Sequence, residues 1–257
     1  MRVLALHPDV ILLSSNIWQT NCVVIRGGDE CFVVDSPVLP DELEALPSLL
    51  EQSGFSLSGL LATHADWDHL LGRLAFPGAA LGCAETTAAR LRAEPGQAQR
   101  ELRAFDEAHY IKRARPLTLG SVQALPVPGQ CEIGPHEVGL LAAEGHTADG
   151  MAIHVPWAQI LICGDYLSEV EIPVLGEGGS PEAYAATLER LRPLVAQAQF
   201  VVSGHGPVLG SEQALSVLDE DLAYLEALSA LGASAELPDG RRSKAQRTIH
   251  AENLARI

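Results

Sequence analysis

Basic charge is what this chain most conspicuously has little of. It sets 17 Lys and Arg against 33 Asp and Glu, a formal charge of −16 at pH 7, and only Lys112 and Lys244 are lysines. Wrapping nucleic acid needs clustered cations to neutralise phosphates, so that class of partner is not expected. A small anionic substrate stays open, because a local basic pocket can sit in an acidic protein. Cysteine is also sparse: five residues, at 22, 31, 83, 131 and 163, odd in number and without a C-x-x-C pair. That pattern suits reduced thiols in a cytoplasmic protein and excludes a disulfide framework or a zinc ribbon. No apolar run approaches the ~20 residues that span a bilayer. The opening MRVLALHPDVILLSS is broken at His7, Pro8 and Asp9 with no small-residue cleavage site after it, so it does not read as a signal peptide. What remains is an ordinary globular balance, 47% apolar and 19% charged. The expectation is a soluble cytoplasmic protein acting on a small molecule, with no nucleic-acid or membrane partner and an undetermined oligomeric state.

The order of elements reads as α/β. TNCVVIRG and ECFVVDS are β-branched runs separated by Gly27-Gly28-Asp29, a hairpin signal. In PDELEALPSLLEQSG, Leu43, Leu46, Leu49 and Leu50 share a helical face, and Gly54 can cap its end. LSGLLATHAD is then a short strand. Residues 85–115 are polar and helical and hold seven of the 17 basic residues, at 90, 92, 100, 103, 112, 113 and 115. Strands return in EVGLLAAEGHT, GMAIHVP and QILICGD, and again in QFVVSGHG. Ser180 and Pro181 open a helix as N-cap and first residue. A last long helix places Leu215, Leu218, Leu222, Leu225 and Leu228 on one face, and the basic tail RRSKAQRTIHAENLARI is helical. With no repeat or linker, the reading is one domain over 1–257, a core to about 212 and a helical tail from about 213.

One segment stands apart. ATHADWDHLLG gathers His64, Asp66, Asp68 and His69 within six positions. In extended chain, residues i and i+2 point the same way, so His64 and Asp66 can share one ion. Asp68 and His69 follow as the chain turns toward a helix in DHLLGRL, where they can face a second ion beside the first. Mixed imidazole and carboxylate donors suit zinc, iron or manganese. Three further donors, His146 in EGHTADG, Asp165 in ICGDY and His205 in SGHGP, each end an apolar strand beside glycine, where rigid strands aim loop residues at a common point.

The series H-x-D-x-D-H, G-H-T, G-D, G-H-G resembles the metallo-β-lactamase fold superfamily of metal hydrolases, over roughly residues 10–210 and including Asp35 in VVDSP. The resemblance implies a four-layer αββα sandwich with the metals at one edge between the sheets. It implies that His64, Asp66 and His146 hold the first ion, that Asp68, His69 and His205 hold the second, and that Asp165 bridges them. The flavour is glyoxalase II-like or lactonase-like, since His69 and Asp165 are both present. Asp66 departs from the pattern, which normally has histidine there. Zinc is expected first, with iron or manganese favoured by the added carboxylate. A carboxylate at this position is similar to the flavodiiron proteins, but the stretch after His205 is too short for a flavodoxin domain.

The implied reaction is hydrolysis of a small ester, thioester or lactone by a hydroxide shared between two divalent ions, with Asp68 both ligating and orienting the nucleophile. Tyr166 reads first as a core or rim tyrosine, with proton donation to the leaving group as the alternative. Alternatives are a phosphodiester hydrolase, a mononuclear iron enzyme similar to persulfide dioxygenases, and a degenerate member that only binds a ligand. Cys163 reads as a small buried hydrophobe, His136 and His154 as structural or solvated, His250 as a helix-cap residue ahead of one closing over the site, and Trp67 as packing beneath the loop. The basic stretches 90–115 and 241–247 read as solvated faces.

Overall fold

The computed structural model describes residues 1–257. Two sheets are stacked, and the alternation along their strands decides what each face touches. The first sheet has seven strands in chain order: β1 (Arg2–His7), β2 (Val10–Ser14), β3 (Asn21–Gly27), β4 (Glu30–Asp35), β5 (Ser56–Leu61), β6 (Leu81–Ala84) and β7 (Val122–Leu125). The first four pair antiparallel and the remainder parallel. The second sheet contains β8 (Gly129–Ile133), β9 (His136–Ala142), β10 (Met151–Val155), β11 (Ile160–Ile162) and β12 (Phe200–Val202). Its order is β12-β11-β10-β9-β8, with only the β11–β12 pair parallel.

Side chains alternate across a strand, so a doubly apolar strand feeds two cores. Val23, Ile25, Val34 and Leu61 of the first sheet meet Leu140, Ile153, Ile162 and Val202 of the second. Their neighbours Cys22, Val24, Val33 and Leu60 point outward onto α1 (Pro40–Ser53), α3 (Glu85–Ala93) and α4 (Gln97–His109). Ala152, Leu161 and Val201 point the other way onto α5 (Pro181–Val195) and α6 (Ser211–Leu231). The result is the expected αββα sandwich. α7 (Lys244–Leu254) extends it, and Ile249 and Leu254 rest on the same apolar cluster as Leu218, Leu225 and Leu228 of α6.

Several local readings hold. Gly28 turns the β3–β4 hairpin at φ 61°, and Gly54 ends α1 in the left-handed region at φ 69°. The Ser180 hydroxyl accepts from Ala183 N at the head of α5. The expected DHLLGRL helix is shorter than read: a 3-10 turn, Trp67–His69, is followed by the single turn α2 (Gly72–Ala75). Phe76-Pro77-Gly78 stops it, since proline cannot donate and disfavours helix in the residue before it. Strands β7 and β8 lie where the sequence pattern predicts no element. Both are half-exposed and carry Gln or Gly, which blunts the β pattern.

Candidate metal centre

The site is assembled by strand ends. His64, Asp165 and His205 each stand three residues beyond the last residue of a strand, β5, β11 and β12, and His146 stands four beyond β9. Asp35 is itself the last residue of β4. Gly204 makes the close approach possible, because a Cβ there would overlap Asp165 Oδ1.

All seven expected ligands converge. Around one position, His64 Nε2 and His146 Nε2 lie 3.7 and 3.3 Å from Asp66 Oδ2. Around the other, His69 Nε2 and His205 Nε2 lie 3.6 and 3.4 Å from Asp68 Oδ2. Asp165 faces all four rings: its Oδ2 is 3.7, 3.4 and 3.5 Å from His64, His146 and His205, and its Oδ1 is 3.2 Å from His69.

The opposite ring nitrogens fix which atom looks inward. His146 Nδ1 donates to the Val174 carbonyl at 2.8 Å, and His69 Nδ1 donates to Asp35 Oδ2 at 3.0 Å. Thr63 commits its hydroxyl proton to Asp35 Oδ2, so His64 Nδ1, 3.0 Å away, must be the donor of that pair. His205 Nδ1 meets the Thr20 hydroxyl at 3.3 Å. In a neutral ring with its proton on Nδ1, Nε2 has only a lone pair to offer. The centre therefore aims imidazole lone pairs at carboxylate lone pairs. Consistent with this, His64 Nε2, His69 Nε2 and Asp165 Oδ1 are buried without any hydrogen-bond partner. Such orphaned groups cost about 1–3 kcal/mol each, and a divalent cation among them satisfies every one. The donor set fits two ions.

Without ions, protons fill the same need. Burial opposes charge on His146 and His205, but Asp66 and Asp165 overturn it for the first and Asp165 with Glu171 for the second, holding the rings up at about 9 and about 10. His69 is raised well above its ordinary value against burial, by Asp165, Asp68 and Asp35. Burial disfavours the charged Asp66 and Asp165, yet hydrogen bonds and charge from the facing histidines hold both well below the usual carboxylate range.

Three features went unread in the sequence. Arg90 of α3 lies in the stretch read as solvated, yet its Nη1 donates to Asp66 Oδ1 and to Asp149 Oδ1, both at 2.9 Å. Asp66 thus turns one oxygen to the centre and the other to a guanidinium, which offsets part of the negative charge expected from a third carboxylate. Asp149 in turn accepts from Ala65 N and the Thr147 hydroxyl, binding the first metal loop to the His146 loop. Glu171, on the loop after β11, brings a further carboxylate, within 4.8 Å of donor atoms of Asp165 and His205. Arg90 and Glu171 carry no motif; Asp149, three residues after His146, was within reach of the G-H-T reading.

Other expectations resolve individually. Tyr166 cannot serve as a proton donor to a leaving group: it is buried, donates to the Ala143 carbonyl and accepts from His146 N, so it braces the His146 loop. Burial raises its hydroxyl further. Cys163 is fully buried, as read, and burial raises its thiol. His136 stacks on Trp157, and His250 bonds the Tyr224 hydroxyl at the α6–α7 contact rather than capping a helix. Trp67 packs on Phe105 and edge-on to Trp18. Arg241 is not solvated: it is buried and pairs with Asp221 at 2.6 Å.

Comparison with known proteins bears on the family and the fold. The chain matches a hydroxyacylglutathione hydrolase of Cereibacter sphaeroides at 29% identity over 199 residues, 77% of this chain and 66% of that protein. Another, from Rhodospirillum rubrum, is 27% identical over 80% of this chain and 67% of its own length. The chain thus spans about two thirds of the length of these relatives. Among solved structures, a metallo-beta-lactamase family protein from Thermus thermophilus superposes at TM-score 0.70, with 23% identity over 98% of this chain and 92% of that one. A metallo-beta-lactamase from Pontibacter korlensis does so at 0.63, with 17% identity over 85% and 98%. At these identities the structures speak for the fold alone. The sequence profile described as the Metallo-beta-lactamase superfamily matches residues 16–205, a span that opens ahead of Asp35 and closes on the last of the converging histidines. On that match the chain belongs to the metallo-beta-lactamase superfamily.

Proposed function

We propose that this chain is a dinuclear metal-dependent hydrolase of small esters, thioesters or lactones. His64, Asp66 and His146 hold one ion, Asp68, His69 and His205 hold the other, and Asp165 is shared. The observation that carries this reading is the set of inward Nε2 atoms around Asp165, with the Nδ1 atoms of His64, His69 and His146 engaged as donors behind them. Divalent ions bound there supply Lewis acidity toward a carbonyl oxygen and bring the pKa of water close to neutrality. Zinc is the first expectation, with iron or manganese admitted by Asp66.

The protein's own part is positioning. Asp35 keeps the His69 proton on Nδ1, and the Val174 carbonyl does the same for His146. Asp68, whose side chain is about nine-tenths buried, reaches the second position and orients the nucleophile there. The centre also stores protons that ion binding displaces from His146 and His205. Thioesters lead the substrate classes because the curated relatives are named hydroxyacylglutathione hydrolases. Cytoplasmic location is part of the same reading.

Elemental analysis of protein purified without chelator or affinity metal tests the proposal, together with turnover of aryl ester, thioester and lactone panels. About two equivalents of zinc, iron or manganese per chain and hydrolysis in one panel support it. No uptake even after reconstitution overturns it, and one equivalent of iron without hydrolysis would favour oxygen chemistry instead.

A further inference from the structure

The loop between β11 and α5 does more than connect. Its Val174 carbonyl accepts from His146 Nδ1, and its Ser168 hydroxyl donates to the His205 backbone carbonyl at 2.8 Å. The same hydroxyl accepts from Glu171 N at 3.1 Å, so the turn carrying Glu171 is fastened directly to the strand-end loop of His205. Glu171 is half-buried, and its carboxylate enters no ion pair or hydrogen bond with any side chain, while its oxygen lies within 4.8 Å of donors on both Asp165 and His205. Donors that share an ion at ~2.1 Å stand no more than ~4.2 Å apart, so a group confined within 4.8 Å needs only a small adjustment to share one. Asp165 Oδ1, in a side chain at least nine-tenths buried, has no hydrogen-bond partner, and its carboxylate belongs to that same group.

We propose that Glu171 is a further ligand of the second ion, held in place by the C-terminal segment. This rests on the dinuclear reading above and specifies its coordination. The holding is built from backbone capture. Arg241 donates to the carbonyls of Ser168 and of Glu171 itself, and Gln246 donates to the Val170 carbonyl at 3.0 Å. Asn253 accepts from Leu175 N at 2.9 Å and donates to the Pro173 carbonyl at 2.7 Å. Three residues from the tail thus fix both ends of the Glu171 turn. The tail is thereby a positioning device for the centre, and the second position is the more carboxylate-rich of the two, with Asp68, Asp165 and Glu171 around it.

The experiment is metal retention during graded competition with a chelator, read as equivalents of zinc and of manganese per full-length chain. Wild type, Glu171→Gln, Glu171→Asp and Gln246→Ala are compared. Expected is a loss of the second equivalent from Glu171→Gln at ~10-fold or more lower chelator, with the first retained as in wild type. Glu171→Asp should fall between them. Gln246→Ala should weaken the second equivalent less, and should add nothing in the Glu171→Gln background. Glu171→Gln holding both equivalents as firmly as wild type overturns the proposal, including where its KM has risen, since that places Glu171 toward substrate. Wild type that never takes a second equivalent fails the dinuclear reading itself, a result separable from any behaviour of the variants.

Discussion

The two halves of the centre are built from the same number of side chains but balanced in opposite ways. The first, His64, Asp66 and His146, has a guanidinium behind it: Arg90 touches the outer oxygen of Asp66 and the buried Asp149. The second, Asp68, His69 and His205, has a carboxylate behind it: Asp35 on His69 Nδ1. A carboxylate partner makes an imidazole a stronger donor, whereas a guanidinium draws charge out of a carboxylate. The first position is therefore the more weakly donating and the second the stronger. An aspartate at a position where the family pattern has histidine is softened by its own counter-ion.

Removing what the halves share should have the largest effect. Asp165→Ala leaves four Nε2 atoms without their common partner, and activity is expected to drop about a thousandfold or more with both equivalents of metal lost. Full turnover with retained metal would break the symmetry of the whole comparison. Next comes a change confined to the second half. Asp35 sits at φ 56°, a left-handed conformation that asparagine also tolerates, so Asp35→Asn removes the charge behind His69 without new backbone strain. The second equivalent is expected to weaken ~10–100-fold while the first stays, measured by chelator competition. Equal loss from both positions would mean that Asp35 holds the loop rather than the ring.

How much of this contrast could be read in sequence follows from chain distance. His64, Asp165 and His205 each follow an apolar run by three residues, and that local mark survives without knowledge of the fold. So do the i, i+2 pair His64 and Asp66 and the glycines beside the later donors. The two-core alternation, Val23 inward and Val24 outward, is likewise written into each strand. Arg90 has no such mark. It lies 24 positions beyond Asp66 and 59 before Asp149, on a polar helix that resembles a solvated face. Only the crossover from β5 through β6 into α3 brings the three together. Glu171 hides for the same reason: what fixes it is Arg241, 70 positions later. The proposed ligands at strand ends were legible because strands aim them, whereas Arg90 and Glu171 were not because tertiary packing places them.

Arg90 is where the comparison can be sharpened. Arg90→Leu leaves Asp66 fully anionic and Asp149 buried without its cation, which should cost about 2 kcal/mol in denaturant unfolding of the metal-free chain. The first position should then prefer manganese over zinc more strongly than in wild type. Asp66→His alone brings an imidazole against a guanidinium and should bind zinc poorly at the first position. The double variant removes the mismatch and should recover zinc there. A double-mutant cycle in zinc affinity therefore carries a favourable coupling if the pair acts as a unit, and additive effects would dissolve the counter-ion argument.

The smallest effect is read with no metal present. Burial opposes charge on His146 and His205, yet the facing carboxylates hold them at about 9 and about 10, against an ordinary value of 6.5. A ring that grips its proton more tightly folded than unfolded adds stability that is fully present below the unfolded pKa and disappears as pH rises through the folded one. The chelated protein should therefore lose melting temperature as pH climbs from about 7 to 10. The loaded protein should hold its own across that window, because ions have replaced the protons among the same carboxylates. The gap between the two melting curves should widen with pH, and binding titrated calorimetrically at pH 7 in buffers of different ionisation heat should show net proton release. Parallel curves would mean that the metal-free centre is neutral and relaxed, with its histidines turned away from Asp165. The opposed lone pairs would then be a feature of the loaded arrangement alone.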